Sequence, residues 1–406
     1  MRLSRSLVLI YVAGFLRSLG VGLLGVILAV YLGRVGVSST GIGLVIGAGL
    51  FGACAATAVV AWAGKRVGYR TSLVVLSLLA TVGGVALAVL PSFPVLLFLI
   101  FIGMVNGMGT DRSAAFALEQ AIIPGLVADR SRTWALSWYN VLLDSGGALG
   151  ALGAVLPLAV SVWTHADLVA AYRYVFTGYA LLQAAIAALY LLLPAQNELL
   201  HQQQPVKQES IVSPQNKKTI HHIASLFAID AFGGGFLTDA LVSYWFFQRF
   251  GIKEQQLALL FFTVHVLNAL SHLGAAWIAQ RIGLVNTMVF THLPSSLFLI
   301  AVPFAAGPKL AVALFLLRET FVEMDVPTRQ SYVAALVQPQ ERSYASGITN
   351  ITRTGAWAAA SALSGFLMQF AFSAPLVLGG TLKIAYDLLL YRDFRHLKPP
   401  EEAKTT

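Results

Sequence analysis

Residues 61–68 read Ala-Trp-Ala-Gly-Lys-Arg-Val-Gly, and residues 276–283 read Ala-Trp-Ile-Ala-Gln-Arg-Ile-Gly. Both octapeptides close a long apolar run with a short turn that contains arginine and glycine. Self-similarity at a fixed distance indicates a chain built from repeated units. The pair therefore predicts two related halves, whose equivalent residues lie 215 positions apart at this point.

Two further matches occur at nearly the same distance. Residues 17–22 match residues 230–235. The Arg-Thr-Trp-Ala segment that leads to Asn140 matches the Arg-Ser-Tyr-Ala segment that leads to Asn350. Offsets of 210 to 215 residues thus hold from the first apolar run to the eleventh, which predicts two homologous six-helix halves.

The composition excludes a soluble globular protein. Of the 406 residues, 57% are hydrophobic and only 11% are charged, against about 25% charged in an ordinary soluble domain. Apolar runs of roughly 20 residues are long enough for a helix to cross a hydrocarbon core of about 30 Å. We predict twelve membrane spans, near residues 6–33, 41–63, 71–90, 94–121, 134–162, 172–193, 222–248, 256–279, 285–304, 309–335, 345–371 and 374–392.

The spans predict four regions along the chain. Residues 1–193 form an N-terminal six-helix bundle and residues 222–392 a C-terminal six-helix bundle. Between them, residues 194–221 are rich in Gln, Lys and Glu, which is typical of a solvated linker. Residues 393–406 form a tail.

Lysine and arginine concentrate in alternate loops, in the linker and at both ends of the chain. By the positive-inside rule these regions are cytoplasmic, and two cytoplasmic termini require an even number of spans. The charge excess follows from topology, so we expect a lipid bilayer as partner and no nucleic acid. We expect a monomeric multi-pass protein of the cell inner membrane. The first run is too long for a signal peptide and is expected to be retained.

The repeated turn resembles the Gly-x-x-x-Asp-Arg-x-Gly-Arg-Arg loop of major facilitator superfamily transporters. Here Ala61 stands at the first Gly, Lys65 at the Asp and Tyr69 at one Arg. The resemblance implies an all-α membrane protein of two pseudo-symmetric six-helix bundles around a central cavity. It also implies cytoplasmic gate loops, formed here by Lys65, Arg66, Gly68, Arg281 and Gly283. Residues 118–121 and 324–330 resemble a poorly characterised prokaryotic branch of the superfamily.

Ionisable side chains in the bilayer cost at least about 2.5 kcal/mol each, so they mark transport pathways or pair with one another. The repeat aligns charges of opposite sign: Arg17 with Asp230 and Glu119 with Arg329, and Asp144 aligns within one residue of Arg353. We predict ion pairs between equivalent residues across the cavity. Pairing within each half is the alternative.

Helical spacing extends this polar lining. Arg318, Asp325 and Arg329 differ by seven and four positions, which places them on one stripe of span ten. Asn140 shares a face with Asp144, and Asn350 shares a face with Arg353. The predicted substrate and cavity residues are Arg17, Glu119, Asn140, Asp144, Asp230, Arg318, Asp325, Arg329, Asn350 and Arg353.

Proton coupling needs a carboxyl group that can become neutral. Desolvation favours the neutral form, whereas a nearby guanidinium favours the charged one. Asp239 has no basic residue within two turns of its own helix, and Glu323 and Asp111 are the further candidates. We expect Lys383 and Asp387 to lie near a helix end and reach the headgroups.

Two smaller expectations concern the remaining polar and small residues of the spans. His265 and His272, with Asn268 and His292, either line a pore or serve polar packing. Glycines in spans one, five and seven are expected to permit close packing of helices.

The function predicted from these features is secondary active transport by alternating access, with proton-coupled export of a small polar or amphipathic solute. The alternatives are import of an organic anion and a receptor or assembly protein that does not transport. No phosphate-binding P-loop, His-Glu-x-x-His or Gly-x-Ser-x-Gly motif is present, so we predict no enzyme activity. A single cysteine, Cys54, argues against a disulfide framework. We expect neither a cofactor nor a metal.

Overall fold

The computed structural model describes residues 4–127, 132–194, 214–326, 328–329, 332 and 342–395. Within these ranges the regular elements are helices. In chain order they are α1 Arg5–Arg34, α2 Ser39–Val67, α3 Tyr69–Val89, α4 Phe93–Gly103, α5 Ala114–Ile122, α6 Arg132–Leu152, α7 Leu156–Thr164, α8 Leu168–Leu191, α9 Pro214–Gly235, α10 Asp239–Phe250, α11 Glu254–Ile282, α12 Leu284–Ala301, α13 Pro308–Val322, α14 Arg342–Phe370 and α15 Ala374–Phe394.

Eight helical stretches in the described part of the chain are long and apolar enough to cross a membrane. They are Arg5–Arg34, Ser39–Trp62, Tyr69–Val89, Ala135–Thr164, Leu168–Leu191, Asn216–Phe250, Leu284–Phe304 and Ala374–Phe394. Non-helical residues interrupt the fourth, the seventh and the tenth predicted spans, whereas in the fifth a 3-10 turn, Gly153–Val155, joins α6 to α7. The fourth span therefore appears as two shorter apolar segments, Phe93–Gly103 and Ala114–Leu126.

The break in the fourth span has a local cause between α4 and α5. Asn106 is buried, and its side chain donates to the carbonyl of Thr110 at 2.8 Å and accepts from the amide of Met108 at 2.7 Å. These bonds replace the helical ladder, as asparagine side chains do in turns. Gly109 adopts φ +83°, which favours glycine. The continuous helix predicted for residues 94–121 is therefore wrong.

The seventh span breaks after Gly235. Thr238 starts α10 by accepting the amide of Leu241 on its side-chain oxygen at 3.3 Å, which is a regular helix N-cap. The tenth span breaks after α13, where residues 323–324 form a turn. The interruption of the seventh span was not predicted. For the tenth, an interruption was predicted at Pro327, which lies outside the described residues, and the turn lies a few residues earlier.

The two glycines that end the repeated octapeptides have the same conformation. Gly68 joins α2 to α3 with φ +92°, and Gly283 joins α11 to α12 with φ +86°. Each glycine is the single residue between two helices. The repeat read from the sequence thus extends to the backbone, because only glycine adopts such a φ without strain.

The chain forms two compact units. The first comprises Met1–Val206 and Thr238–Phe262, and the second comprises Lys207–Leu237 and Thr263–Thr406. The second half of the seventh span and the start of the eighth thus belong to the first unit. The bundle boundaries at residues 193 and 222 were predicted from the sequence repeat rather than from compactness, and they stay a prediction.

Equivalent helices pack in the same way inside each unit. In the first unit, α1 lies so close to α6 that a Cβ atom on Gly22 would come within 2.1 Å of the carbonyl oxygen of Gly147. In the second unit, α9 packs on α14, and a Cβ on Gly235 would meet the carbonyl of Trp357 at 2.5 Å. The prediction that these glycines permit close helix packing is confirmed.

Candidate functional site

The first unit buries an ionic cluster that we call the first network: Arg17, Asp111, Glu119, Tyr139 and Tyr190. Arg17 on α1 donates from Nε to Asp111 at 2.6 Å and from Nη2 to Glu119 on α5. The hydroxyl groups of Tyr139 and Tyr190 each donate to Glu119 at 2.6 Å. The arginine side chain is 6% exposed and the two carboxylates are 0% exposed.

The break between α4 and α5 positions this cluster. It lets Asp111 approach Arg17 from the irregular segment, while Ser113 fixes the other carboxylate oxygen of Asp111 through its backbone amide at 3.0 Å. Glu119 follows two turns into α5 and is reached by Tyr139 from α6 and Tyr190 from α8. Burial is tolerated because each charged group has several partners of good geometry.

A small cavity with both polar and apolar residues in its wall adjoins the pair of Arg17 and Asp111. Its volume is about 30 Å³. The polar side chains in its wall, besides the ionic pair, are those of Ser77, Asn106, Ser113, Tyr179 and Gln183. A space of this size and polarity accommodates one or two water molecules.

The second unit buries the second network, which consists of Asp230, His292, Asp325, Arg329, Lys383 and Asp387. Asp230 on α9 accepts from Arg329 at 2.9 Å and from Lys383 on α15 at 2.7 Å. Arg329 also pairs with Asp325 at 3.0 Å. Five of the six side chains are at most 6% exposed, and Lys383 is 7% exposed.

His292 joins this network from α12. Its Nδ1 lies 3.0 and 3.1 Å from the two oxygens of Asp387. Its Nε2 lies 3.4 Å from Lys383 Nζ and 3.8 Å from Asp230 Oδ1. The imidazole therefore bridges the carboxylate of α15 and the Asp230 centre.

The two networks use equivalent positions with opposite charges. Arg17 pairs with Glu119 in the first unit, whereas Asp230 pairs with Arg329 in the second. The sequence predicted opposite charges at these positions but assigned the partners across the cavity. In this structure each of the four groups has its partner in its own unit, so the alternative of pairing within each half is the one observed. A charge already compensated at hydrogen-bond distance gains little from a more distant partner.

The polar residues predicted on α6 and α14 lie in a more open setting. Asn140 and Asp144 are exposed on α6, and Asn350 is exposed on α14. Arg353 is half-buried, with its guanidinium 4.6 Å from the centre of the Trp357 ring. These side chains are outside the two networks as defined.

The predicted stripe on the tenth span is divided by the turn after α13. Arg318 and Glu319 are both buried and form an ion pair with each other. Asp325 and Arg329, beyond the turn, belong to the second network. Glu323 lies at the turn and is half-buried. The prediction of one continuous stripe is wrong because the helix does not continue through residues 323–324.

Asp239 opens the first turn of α10 and packs against glycines of the first unit. A Cβ atom on Gly109 would lie 1.7 Å from its carboxylate oxygen, and a Cβ on Gly25 would lie 3.2 Å from its Cβ. Next to it, the amide of Ala240 donates to the carbonyl of Gly107 at 3.1 Å. The start of α10 is thus held closely on α1 and on the broken fourth span.

A second contact of this region was missed by the sequence reasoning, and we call it the Arg34 cluster: Arg34, Tyr172 and Glu254. Arg34 at the end of α1 pairs with Glu254 at the start of α11 at 2.6 Å, and the hydroxyl of Tyr172 donates to the same oxygen at 2.6 Å. Both charges stand in predicted loops, where sequence alone gives no partner.

Of the predicted gate loops, the structure describes the backbone more fully than the side chains. Lys65 and Arg66 lie in the last turn of α2, and their side chains fall outside the described part. Arg281 stacks on Trp277, with its guanidinium carbon 3.8 Å from the ring centre. Gly68 and Gly283 form the two matching turns.

Lys383 and Asp387 were expected to reach the headgroups, and this expectation is wrong. They are 6% and 0% exposed as residues and contact Asp230 and His292. An available signal was their spacing: two opposite charges four positions apart lie on one face of a helix. Within the described residues, no group of three or more His, Cys, Asp or Glu side chains is arranged to hold a metal ion.

Comparison with known proteins places this geometry in a family. The Major Facilitator Superfamily model matches residues 10–361. The chain is 24% identical to the uncharacterized membrane protein YJR124C of Saccharomyces cerevisiae, over 95% of this chain and 93% of the yeast protein.

Two solved structures share the fold. One is a D-xylose–proton symporter, with a TM-score of 0.74 and 14% identity over 95% of this chain and 98% of the symporter. The other is a bacterial homologue of the human lysosomal transporter Spinster, with a TM-score of 0.74 and 14% identity over 96% and 97% of the two chains. Since the family model covers most of the sequence, the chain belongs to the Major Facilitator Superfamily, as a secondary transporter and not an enzyme.

Proposed function

We propose that this transporter couples the movement of protons to the export of a small polar or amphipathic solute. We place it as a monomer in the cell inner membrane, with both termini in the cytoplasm. The yeast relative gives no support for a prokaryotic branch, so that assignment rests on the sequence resemblance alone. The observation that carries the proton coupling is the first network.

The first network holds two carboxylates against a single guanidinium. With both carboxyl groups ionised, the first network has a net charge of one negative unit, and one bound proton makes it neutral. An uncompensated buried charge is strongly penalised. Proton binding at Asp111 or Glu119 therefore changes the electrostatic cost of burying this cluster, which is what a coupling site must do.

Access for such a proton is supported by the cavity beside Asp111. Water in that cavity would contact Asp111 and the polar side chains of Asn106 and Gln183. Asp111, one of the three coupling candidates, therefore becomes the first choice. Asp239 and Glu323 remain candidates, at the closely packed start of α10 and at the turn after α13.

Solute contacts are proposed separately for each unit. In the first unit, Asn140 and Asp144 on α6 offer an amide and a carboxylate, and in the second unit, Asn350 and Arg353 on α14 offer an amide and a guanidinium. Polar and charged groups of this kind suit a small polar solute. We assign Arg318 a supporting role, because its charge is already paired with Glu319.

We propose that contacts at the two ends of α10 open during alternating access. The packing of Asp239 on Gly109 holds the start of α10, and the Arg34 cluster holds the start of α11 just beyond its other end. The turns at Gly68 and Gly283, with Lys65, Arg66 and Arg281, form the gate loops on the cytoplasmic side.

Import of an organic anion is the second candidate. It is favoured by the positive charge of Arg353, whose half-buried guanidinium stacks on Trp357. The D-xylose–proton symporter of the same fold couples its solute to protons by symport. It shows that the fold alone does not fix the direction.

The test is solute-driven proton movement in proteoliposomes that contain a trapped pH indicator. A panel of sugars, nucleosides, organic anions and amphipathic cations is added outside without an imposed gradient. A solute that enters in exchange for protons drives protons out and alkalinises the lumen. A co-transported solute carries protons in and acidifies the lumen. We expect antiport with at least one class.

The variants are Asp111→Asn and Glu119→Gln in the network, and Asp393→Asn near the end of α15 is the matched control. Asp111→Asn should lose at least about tenfold in solute-driven proton flux, equivalent to about 1.4 kcal/mol. Glu119→Gln should lower this flux too, while Asp393→Asn should retain it. Solute flux with no proton movement in the wild-type protein would refute proton coupling. Proton movement with the sign of symport would refute export and favour the second candidate.

A further inference from the structure

The second network has the same charge imbalance as the first. Arg329 and Lys383 supply two permanent cations, while Asp230, Asp325 and Asp387 supply three carboxylates. The remaining ionisable member is His292. If its imidazole is neutral, the buried set carries one excess negative charge, and if it is protonated, the set is balanced.

The flanking groups leave this count unchanged. Arg353 on α14 and Glu323 at the end of α13 are half-buried charges of opposite sign, and their electrostatic influence reaches Asp230 and Arg329 respectively. Both are more open than the six members of the network. The phenol of Tyr386 on α15 also faces the histidine, with ring centres 6.1 Å apart.

The geometry around His292 suits two protonation states. Asp387 lies within hydrogen-bond distance of Nδ1 through both oxygens, so this nitrogen carries a proton in either state. In the neutral state, Nε2 can accept from Lys383 Nζ at 3.4 Å. In the charged state, a proton on Nε2 faces Asp230 Oδ1 at 3.8 Å, and Lys383 keeps its contact with Asp230 at 2.7 Å.

From this arrangement we propose that His292 is a second proton-binding site of the transporter, which takes up one proton at Nε2 while Asp387 holds the ring through Nδ1. The two units then each bind one proton, the first on a carboxylate and the second on an imidazole. The inference rests on the proposed proton coupling for its role in transport, whereas the protonation itself can be measured without any solute.

Asp387 is a positioning residue in this proposal. Its carboxylate selects the Nδ1–H form of the neutral imidazole, which is the less common form in water, and thereby turns Nε2 towards Lys383 and Asp230. Replacement by asparagine removes the charge that favours this form but keeps the size of the side chain. His292 should then lose its tautomer preference although the fold is retained.

The experiment is ¹⁵N NMR of protein labelled at its eight histidines and reconstituted in lipid nanodiscs. The nitrogen shifts distinguish the two neutral tautomers from the imidazolium. We expect one histidine with the Nδ1–H form, which converts to imidazolium as the pH is lowered. This signal should be absent in His292→Gln and should change tautomer in Asp387→Asn.

His222→Gln is the matched control, because His222 is half-exposed and pairs with Asp393 at the surface at 3.1 Å. It should remove a different signal and leave the Nδ1–H histidine in place. If His292→Gln fails to fold, Asp387→Asn alone supplies the test through the change of tautomer. A His292 signal that stays neutral down to pH 5, or that has the Nε2–H form, overturns the proposal.

Transport gives an independent second readout. His292→Gln should lower the number of protons moved per solute by about half, while Glu119→Gln lowers proton flux through the first network. If the wild-type protein moves solute without protons, the proposed function fails even when His292 titrates. If protons move and His292→Gln leaves their ratio to solute unchanged, only the present inference fails.

Discussion

The first and second networks occupy equivalent places in the two units, yet they are built differently. In the first network, the hydroxyl groups of Tyr139 and Tyr190 donate to Glu119, which pairs with Arg17. Asp230 and Arg329 are instead surrounded by further ions, Lys383 and Asp325 among them. The repeat thus retains where charges pair, between the first and fourth spans of each half, but not which residue carries which sign.

This difference has a physical consequence. A buried ion pair gains little net stability, but an orphaned partner is costly. In the first network, loss of the only guanidinium leaves two carboxylates together. In the second, Asp230 and Arg329 each have two partners of opposite sign, so the loss of one contact leaves each of them another.

The largest expected effect is that of Arg17→Gln. The variant should lose about 3–5 kcal/mol in free energy of unfolding, because two buried carboxylates lose their counter-ion. Unfolding by SDS in mixed micelles measures the loss. Adding Glu119→Gln to this variant should recover part of it, and an equal or greater loss in the double variant would mean that the charges do not determine the effect.

A smaller effect is expected for Asp230→Asn. Arg329 keeps Asp325 at 3.0 Å and Lys383 keeps His292 at 3.4 Å, so the loss should be about 2–3 kcal/mol. The same unfolding assay compares it with Arg17→Gln. If Asp230→Asn were the more destabilising of the two, the idea that the second network shares a loss would be contradicted.

The smallest effects separate two buried tyrosines. Tyr190→Phe removes a hydroxyl that donates to Glu119 and should cost about 1.5–3 kcal/mol. The hydroxyl of Tyr386 has no hydrogen-bond partner among the described residues, so Tyr386→Phe should change stability by less than about 0.5 kcal/mol. Equal losses in the two variants would show that ring packing, rather than the hydrogen bond from the Tyr190 hydroxyl to Glu119, determines the effect.

Much of the fold could be predicted from the sequence, since apolar length and the repeated octapeptide determine spans and halves. The break at Asn106 was missed because the apolar runs before and after residues 106–113 were joined into one span, although Asn-Gly-Met-Gly-Thr-Asp-Arg-Ser is typical of a turn. For the site, the repeat correctly identified Arg17, Asp230, Glu119 and Arg329 as a related set. It could not identify partners, because an alignment shows which positions are equivalent and not which side chains meet.

The same limit explains the residues that were missed or misplaced. Lys383 contacts Asp230 across 153 positions of sequence, and only helix packing brings the two together. Its place in the last span suggested a helix end. His292 was recognised as polar, but its role depends on Asp387, which is also remote in sequence.

The central claim, that each half pairs its own charges, is tested most directly by two double-mutant cycles on the free energy of unfolding. One cycle combines Arg17→Gln with Glu119→Gln, and the other combines Arg17→Gln with Asp230→Asn. We predict a coupling energy of about 2–3 kcal/mol in the first cycle and less than about 0.5 kcal/mol in the second. A strong coupling between Arg17 and Asp230 with none between Arg17 and Glu119 would contradict the claim.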